Sequence, residues 1–116
     1  MNAGKRVLVV EDEFLVAEMI VDIVERTGAA VVGPAANIRE ALDLIGAGEV
    51  DAAVLDWNLA GEPGERVAEA LAEADVPFVI STGYGAVTGA FADRPLLSKP
   101  YPGAMLVDLL RDLLAD

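Results

Sequence analysis

Five short apolar runs divide the chain: Val7-Leu8-Val9-Val10, Ala29-Ala30-Val31-Val32, Ala52-Ala53-Val54-Leu55, Phe78-Val79-Ile80 and Leu96-Leu97. Helix-like stretches separate them, the pattern of parallel strands in one sheet. Lys5 to Val10 reads as the first strand. Phe14 to Thr27 reads as a helix, with Val16, Ile20, Ile23 and Val24 at helical spacing and Gly28 as its stop. Ala29 to Val32 is the second strand, ended by Gly33-Pro34. Asn37 caps a second helix with Glu40 three residues on, a capping-box pattern. Ile38, Leu42 and Ile45 form its stripe, and Gly46 and Gly48 end it. Asp51 to Asp56 holds the third strand. Asn58 to Gly64 is a loop into a third helix, with Val67 and Leu71 facing the core. Val76-Pro77 starts the fourth strand and Lys99-Pro100 closes the fifth. A last helix runs from about Pro102, with Leu106, Leu109, Leu110 and Leu113 on one face; proline suits a first turn.

One crossover is weak. Between Thr82 and Pro95 stand Gly83, Gly85 and Gly89, and each glycine costs a helix about 1 kcal/mol relative to alanine. The pattern predicts a short, frayed or mobile fourth helix from Thr88 to Asp93.

Alternating strands and helices imply an α/β fold, a doubly wound five-stranded parallel sheet with helices on both faces. In such a sheet the carboxyl ends of the strands share one edge, and ligands bind there. Four of the runs end on chemically useful residues: Glu11-Asp12, Asp56, Ser81-Thr82 and Ser98-Lys99. Glu11, Asp12, Asp56, Thr82 and Lys99 are therefore expected to converge.

Composition narrows the chemistry. The 116 residues fit one domain, and the 54% apolar content suits strands buried on both sides. Cysteine and histidine are both absent, which excludes disulfides, thiolate metal sites and any histidine chemistry within the chain. Eight basic against twenty acidic residues give a net charge of −12, which argues against nucleic-acid binding. No secretory leader is evident, and no apolar stretch approaches the ~20 residues of a membrane span. The expected location is cytoplasmic.

Taken alone, Asp56 fits a turn, Thr82 an ordinary strand, and Glu11-Asp12 the negative charge that favours a helix start. Glu13 fits that last role. Together they point further. A carboxylate such as Asp56 can attack phosphorus and form an acyl phosphate. Glu11, Asp12 and Asp56 supply oxygen donors for a magnesium ion, and without a cation their charges repel. Lys99 can pair with phosphate or, before phosphorylation, with Asp56. Thr82 can donate one hydrogen bond to a phosphoryl oxygen. Gly83-Tyr84-Gly85 fails the spacing and position of a dinucleotide-binding loop.

Val-Leu-Val-Val-Glu-Asp-Glu from Val7, Leu-Asp-Trp-Asn-Leu from Leu55, Ser-Thr-Gly from Ser81 and Ser-Lys-Pro-Tyr from Ser98 resemble, in this order, the receiver (CheY-like) domain of two-component response regulators. The resemblance spans nearly the whole chain. It implies the flavodoxin-like strand order 2-1-3-4-5. It also implies Mg2+ (or Mn2+) at Glu11, Asp12, Asp56 and the main-chain carbonyl of Asn58, with Asp56 as phosphoacceptor. Thr82 would be the conformational relay and Lys99 the phosphate-pairing lysine. Gly64 matches the glycine after the phosphoacceptor loop. Gly83, Tyr84, Leu96 and Tyr101 would lie on the switch and partner surface.

Three features depart from or refine that pattern. Receivers often carry proline four residues after the phosphoacceptor, where this chain has Ala60. Many carry an aromatic switch residue three positions before the lysine, where this chain has Leu96. Pro77-Phe78-Val79-Ile80-Ser81-Thr82-Gly83-Tyr84 is similar to the FATGUY subgroup, many of whose members are stand-alone receivers associated with HWE and related histidine kinases. The expected function is a single receiver domain over residues 1–116, with no output domain. It would take a phosphoryl group from a kinase phosphohistidine and act on a downstream protein or phosphotransfer partner, in a phosphorelay or as a phosphate sink. Two other readings stand beside it. One is a receiver-like interaction module that works without phosphorylation. The other is an aspartyl-phosphate phosphatase, which needs an aspartate where this chain has Asn58.

Overall fold

The computed structural model describes residues 4–83, 87 and 89–115. A parallel five-stranded sheet runs through its centre: β1 (Arg6–Val10), β2 (Ala30–Ala35), β3 (Ala52–Asp56), β6 (Phe78–Thr82) and β7 (Leu96–Ser98). Their order is β2-β1-β3-β6-β7, the expected 2-1-3-4-5 arrangement. β4 (Asn58–Leu59) and β5 (Glu62–Pro63) form a separate antiparallel hairpin. The helices are α1 (Phe14–Arg26), α2 (Ile38–Gly46), α3 (Glu65–Glu73) and α4 (Gly103–Leu113).

Burial on both sides explains the apolar runs of β1, β3 and β6, whereas the edge strands β2 and β7 are only partly buried. β3 and β6 are buried at every position, and their side chains alternate between two cores. On one face Leu8, Val10, Leu55, Phe78 and Ile80 meet Ala41 and Ile45 of α2 and Val67 and Leu71 of α3. On the other, Val7, Val9, Val54, Val79 and Leu97 meet Ile20 and Val24 of α1 and Leu106 and Leu110 of α4. Leu109 and Leu113 pack at that core's edge. Asn37 caps α2: its Oδ1 accepts the Glu40 N–H at 2.9 Å, and Glu40 Oε1 accepts the Ala36 N–H at 2.9 Å.

Three expectations are corrected. β2 does not stop at Gly33-Pro34 but runs on to Ala35. It lies at the sheet's edge, where proline's missing N–H breaks no ladder, and its register with β1 shifts between Leu8 and Val10. The loop after Asp56 is the β4–β5 hairpin. The expected fourth helix, Thr88 to Asp93, is a single 3-10 turn at Gly89–Phe91 among the described residues. Val87 and Phe91 hold that stretch on the α2/α3 side of the sheet. Phe91 packs against Trp57 and Phe78, with ring centroids 6.3 and 5.9 Å apart. The Arg94 guanidinium covers the Phe78 ring, 4.6 Å from its centroid. The chain's final helix is therefore α4. Among the described residues no helix is long and apolar enough to cross a membrane.

Candidate functional site

β1 and β3 are neighbours, so their carboxyl ends bring Glu11-Asp12 and Asp56 together. One carboxylate oxygen from each of Glu11, Asp12 and Asp56 lies within 4.8 Å of the others. β6 and β7 deliver Thr82 and Lys99 to the same edge. The Thr82 carbonyl accepts the Lys99 N–H at 2.8 Å, which fixes the root of the lysine. The five residues expected to converge do lie on one edge, on four different strands or the turns that follow them.

The site is polar and mostly buried, with Asp12 and Lys99 half-buried. Asp56 and Thr82 are buried, and the Glu11 side chain is fully shielded from solvent. Lys99 Nζ bonds Glu11 Oε1 at 2.9 Å and stands 3.5 Å from Asp56 Oδ2. The expected pairing of Lys99 with Asp56 is present, and a shorter one with Glu11, which was not expected, stands beside it. Glu11 Oε2 also accepts the Glu13 N–H at 3.1 Å, closing the turn into α1. Asp56 Oδ1 accepts the Asn58 N–H at 3.2 Å.

Burial pushes the Asp56 carboxyl up from an ordinary 3.8 to about 7. The Asn58 N–H opposes that rise, the Glu11 charge adds to it, and Lys99 opposes it. Burial on its own would lower the Lys99 ammonium, but its bond to Glu11 and the Asp56 charge outweigh burial and hold it above 10.5. The chemistry follows from these facts. Three carboxylates with one ammonium leave a net negative, oxygen-rich pocket suited to a hard divalent cation. Asp56 is held there as the last residue of β3 and by the Asn58 N–H of the hairpin.

Gly64 explains how the hairpin returns so close to β3. Its N–H donates to the Trp57 carbonyl at 2.7 Å. A Cβ at this position would stand 2.7 Å from the Asp56 carbonyl oxygen and 3.2 Å from Trp57 Cα. Both are backbone atoms that cannot swing aside, so only glycine fits.

The expected switch residues are spread out. Gly83 follows Thr82, is exposed, and has open space where a side chain would go. Tyr84 lies outside the described residues. Leu96 opens β7 opposite Ile80, at the strand end away from the acids, and is 39% exposed. Tyr101 packs against the α1/α4 core; burial raises its phenol above 10.0, and the nearby Ser81 hydroxyl opposes the rise. Ser81 Oγ is buried without a hydrogen-bond partner among the described residues.

The sequence marked Ala60 only as a departure from proline and not as a partner of Asp12, yet its N–H donates to Asp12 Oδ2 at 3.0 Å. The only signal was Ala60-Gly61 between Leu59 and Glu62, a small residue followed by glycine at a turn.

Residues 7–110 match the response regulator receiver domain, so the chain belongs to that family. The solution structure of SdrG from Sphingomonas melonis Fr1 is 42% identical, with a TM-score of 0.85 over 99% of this chain and 100% of that one. The BeF3-activated conformation of SdrG from Pseudomonas melonis Fr1 has the same identity and coverage, with a TM-score of 0.79. A response regulator protein from Burkholderia pseudomallei, crystallised with a phosphorylated aspartic acid, a calcium ion and citrate, is 29% identical. Its TM-score is 0.78 over 95% of this chain and 66% of that one. No curated protein matched the chain. The family is a signalling domain, not an enzyme of the usual kind.

Proposed function

We propose that this chain acts as a single-domain response regulator whose phosphoacceptor is Asp56. The observation that carries the reading is the meeting of Glu11, Asp12, Asp56 and Lys99 at one strand edge. In the transfer, an Asp56 carboxylate oxygen attacks the phosphorus of a partner's phosphohistidine. The P–N bond breaks, the imidazole leaves with the electron pair, and an acyl phosphate forms. Lys99 then turns from Glu11 to the phosphoryl oxygens, and Thr82 donates its hydroxyl to one of them. Glu11, Asp12, Asp56 and the Asn58 main-chain carbonyl would hold Mg2+ (or Mn2+), which supplies charge neutralisation for the transferring group. The phosphorylated aspartic acid and calcium ion of the B. pseudomallei relative support this reading.

The donor in this reading is a histidine kinase, of the HWE type by the Ser81-Thr82-Gly83-Tyr84 likeness. A docking face lies beside Lys99. Phe14, Leu15 and Met19 of α1 and Met105 of α4 are large apolar residues left exposed. Met19 also lines a groove at Lys99 with Val16, Ile20, Ile23, Pro100 and Tyr101. Such an apolar face suits a helical partner. The downstream readout is assigned to residues 83 to 94. They take part in the switch in place of an aromatic at position 96, because Leu96 has neither ring nor hydroxyl. The protein then serves as a relay or phosphate sink, with SdrG matched over its full solved chain as support for the single-domain role.

The test is phosphotransfer from a phosphorylated histidine kinase with and without Mg2+, in the wild type and in Asp56→Asn. Transfer that needs both the cation and Asp56 supports the reading. Transfer retained by Asp56→Asn, or unaffected by chelation, contradicts it.

A further inference from the structure

Asp12 is held by something other than its neighbours in sequence. Its Oδ2 accepts the N–H of Ala60 at 3.0 Å, across 48 positions, from the tip of the β4–β5 hairpin. The bond uses one carboxylate oxygen and spares Oδ1. The tip itself is well defined. Ala60 and Gly61 have φ of +54° and +88°, the pair of positive values that a tight hairpin turn demands. Asn58 Oδ1 accepts the Gly61 N–H at 3.0 Å and braces the turn from within. Asn58 pairs with Pro63 and Leu59 with Glu62. The hairpin is anchored beside its tip by Leu59, which is fully buried in the α2/α3 core, and at its base by the Gly64 N–H on the Trp57 carbonyl.

An alanine in the left-handed region is disfavoured relative to glycine, and such strain persists only where the surroundings enforce it. Here that setting aims an N–H at one of the three clustered acids. A proline at position 60 could do neither thing: its φ is locked near −65° and it has no N–H.

From this we infer that the Ala60 N–H is a positioning group for the cation site, a clamp that orients Asp12 toward Glu11 and Asp56. The inference rests on the cation reading proposed above. Groups that orient a metal ligand through its second atom change metal affinity by roughly 10- to 100-fold when removed. The hairpin also becomes a reporter. If the clamp favours the cation, linkage requires that the cation favour the clamp by the same factor. Cation binding therefore tightens the hairpin tip.

Mg2+ titration followed through Trp57, the single tryptophan, measures the affinity. Ala60→Gly keeps the N–H and relieves the backbone, and its affinity is expected within about twofold of wild type. Ala60→Pro removes the N–H and the turn geometry, and its affinity is expected to fall roughly tenfold or more. Amide exchange of the wild type, needing no variant, gives the second arm: Mg2+ is expected to slow exchange at Ala60. Wild-type binding with Ala60 exchange unchanged or faster in Mg2+ overturns the clamp alone. So does an Ala60→Pro affinity equal to wild type in a protein whose β3 and β6 amides stay protected. A wild type that binds no Mg2+ overturns the cation reading and the clamp with it.

Discussion

Two connections border the site, and they are built in opposite ways. The one after β3, Trp57 to Gly64, sends two polar bonds to the site itself, Asn58 N–H to Asp56 and Ala60 N–H to Asp12, and closes its base with Gly64 N–H on the Trp57 carbonyl. The one after β6 is fastened, in its described part, by apolar packing: Val87 and Phe91 in the core, Phe91 against Trp57 and Phe78, and Arg94 over Phe78. Directional bonds hold carboxylates to a geometry, which a cation or phosphoryl site needs. Packing tolerates small slides, which a segment with a readout role needs. One edge of the site is thus held by directional bonds and the other, among the described residues, chiefly by packing.

The largest expected effect comes from cutting the second connection loose. Phe91→Ala should cost about 3 kcal/mol of stability, the usual toll for emptying a buried phenylalanine site. It should speed amide exchange across residues 87 to 94 while leaving Mg2+ affinity unchanged. A fall in Mg2+ affinity would mean the two connections are not independent. Gly64→Ala should do the reverse. Its Cβ would overlap the Asp56 carbonyl, at a cost of about 2 kcal/mol. Labelling by acetyl phosphate should slow about tenfold, because Asp56 is displaced. Full-rate labelling would remove the hairpin from the account of the site.

Acidity gives a smaller effect with a definite sign. The Asp56 carboxyl is raised in the folded state, to about 7 from 3.8. Its contribution to stability is therefore fully present below pH 3.8 and is lost as pH rises through about 7. In Mg2+-free buffer, Asp56→Asn should melt higher than wild type at pH 8, on the order of 5 °C, and equal to it near pH 4. The opposite trend would mean Asp56 is stabilised as an anion. The smallest effect is Gly83→Ala. The space is open there, so stability should change by less than about 0.5 kcal/mol. A larger loss would show that the stretch after Thr82 is held as firmly as the hairpin.

The same contrast separates what the sequence shows from what it hides. β1, β3 and β6 were legible because burial on both faces leaves uninterrupted apolar runs, and the partly exposed edge strands β2 and β7 because Gly33-Pro34 and Lys99-Pro100 punctuate their shorter runs. The acids and the lysine were legible because each stands where such a run ends. Asn37 and Glu40 advertised the start of α2 by their spacing. The hairpin was not legible: two-residue strands carry no period, and alanine does not announce a positive φ. The run of β2 through Gly33-Pro34 depends on its edge position, a property of the whole sheet. The choice of Glu11 over Asp56 by Lys99 depends on side-chain reach across strands. The glycines marked the fourth helix as weak, but not that a single 3-10 turn would stand there among the described residues, with Phe91 docked on Trp57.

The central claim is that Asp56 takes the phosphoryl group in a cation-dependent step. Peptide mass mapping after treatment with acetyl phosphate and Mg2+ tests it most directly. One phosphoryl group is expected on Asp56, none after chelation and none in Asp56→Asn. A phosphoryl group on any other residue of the wild-type protein, or full labelling in the chelated sample, would contradict it.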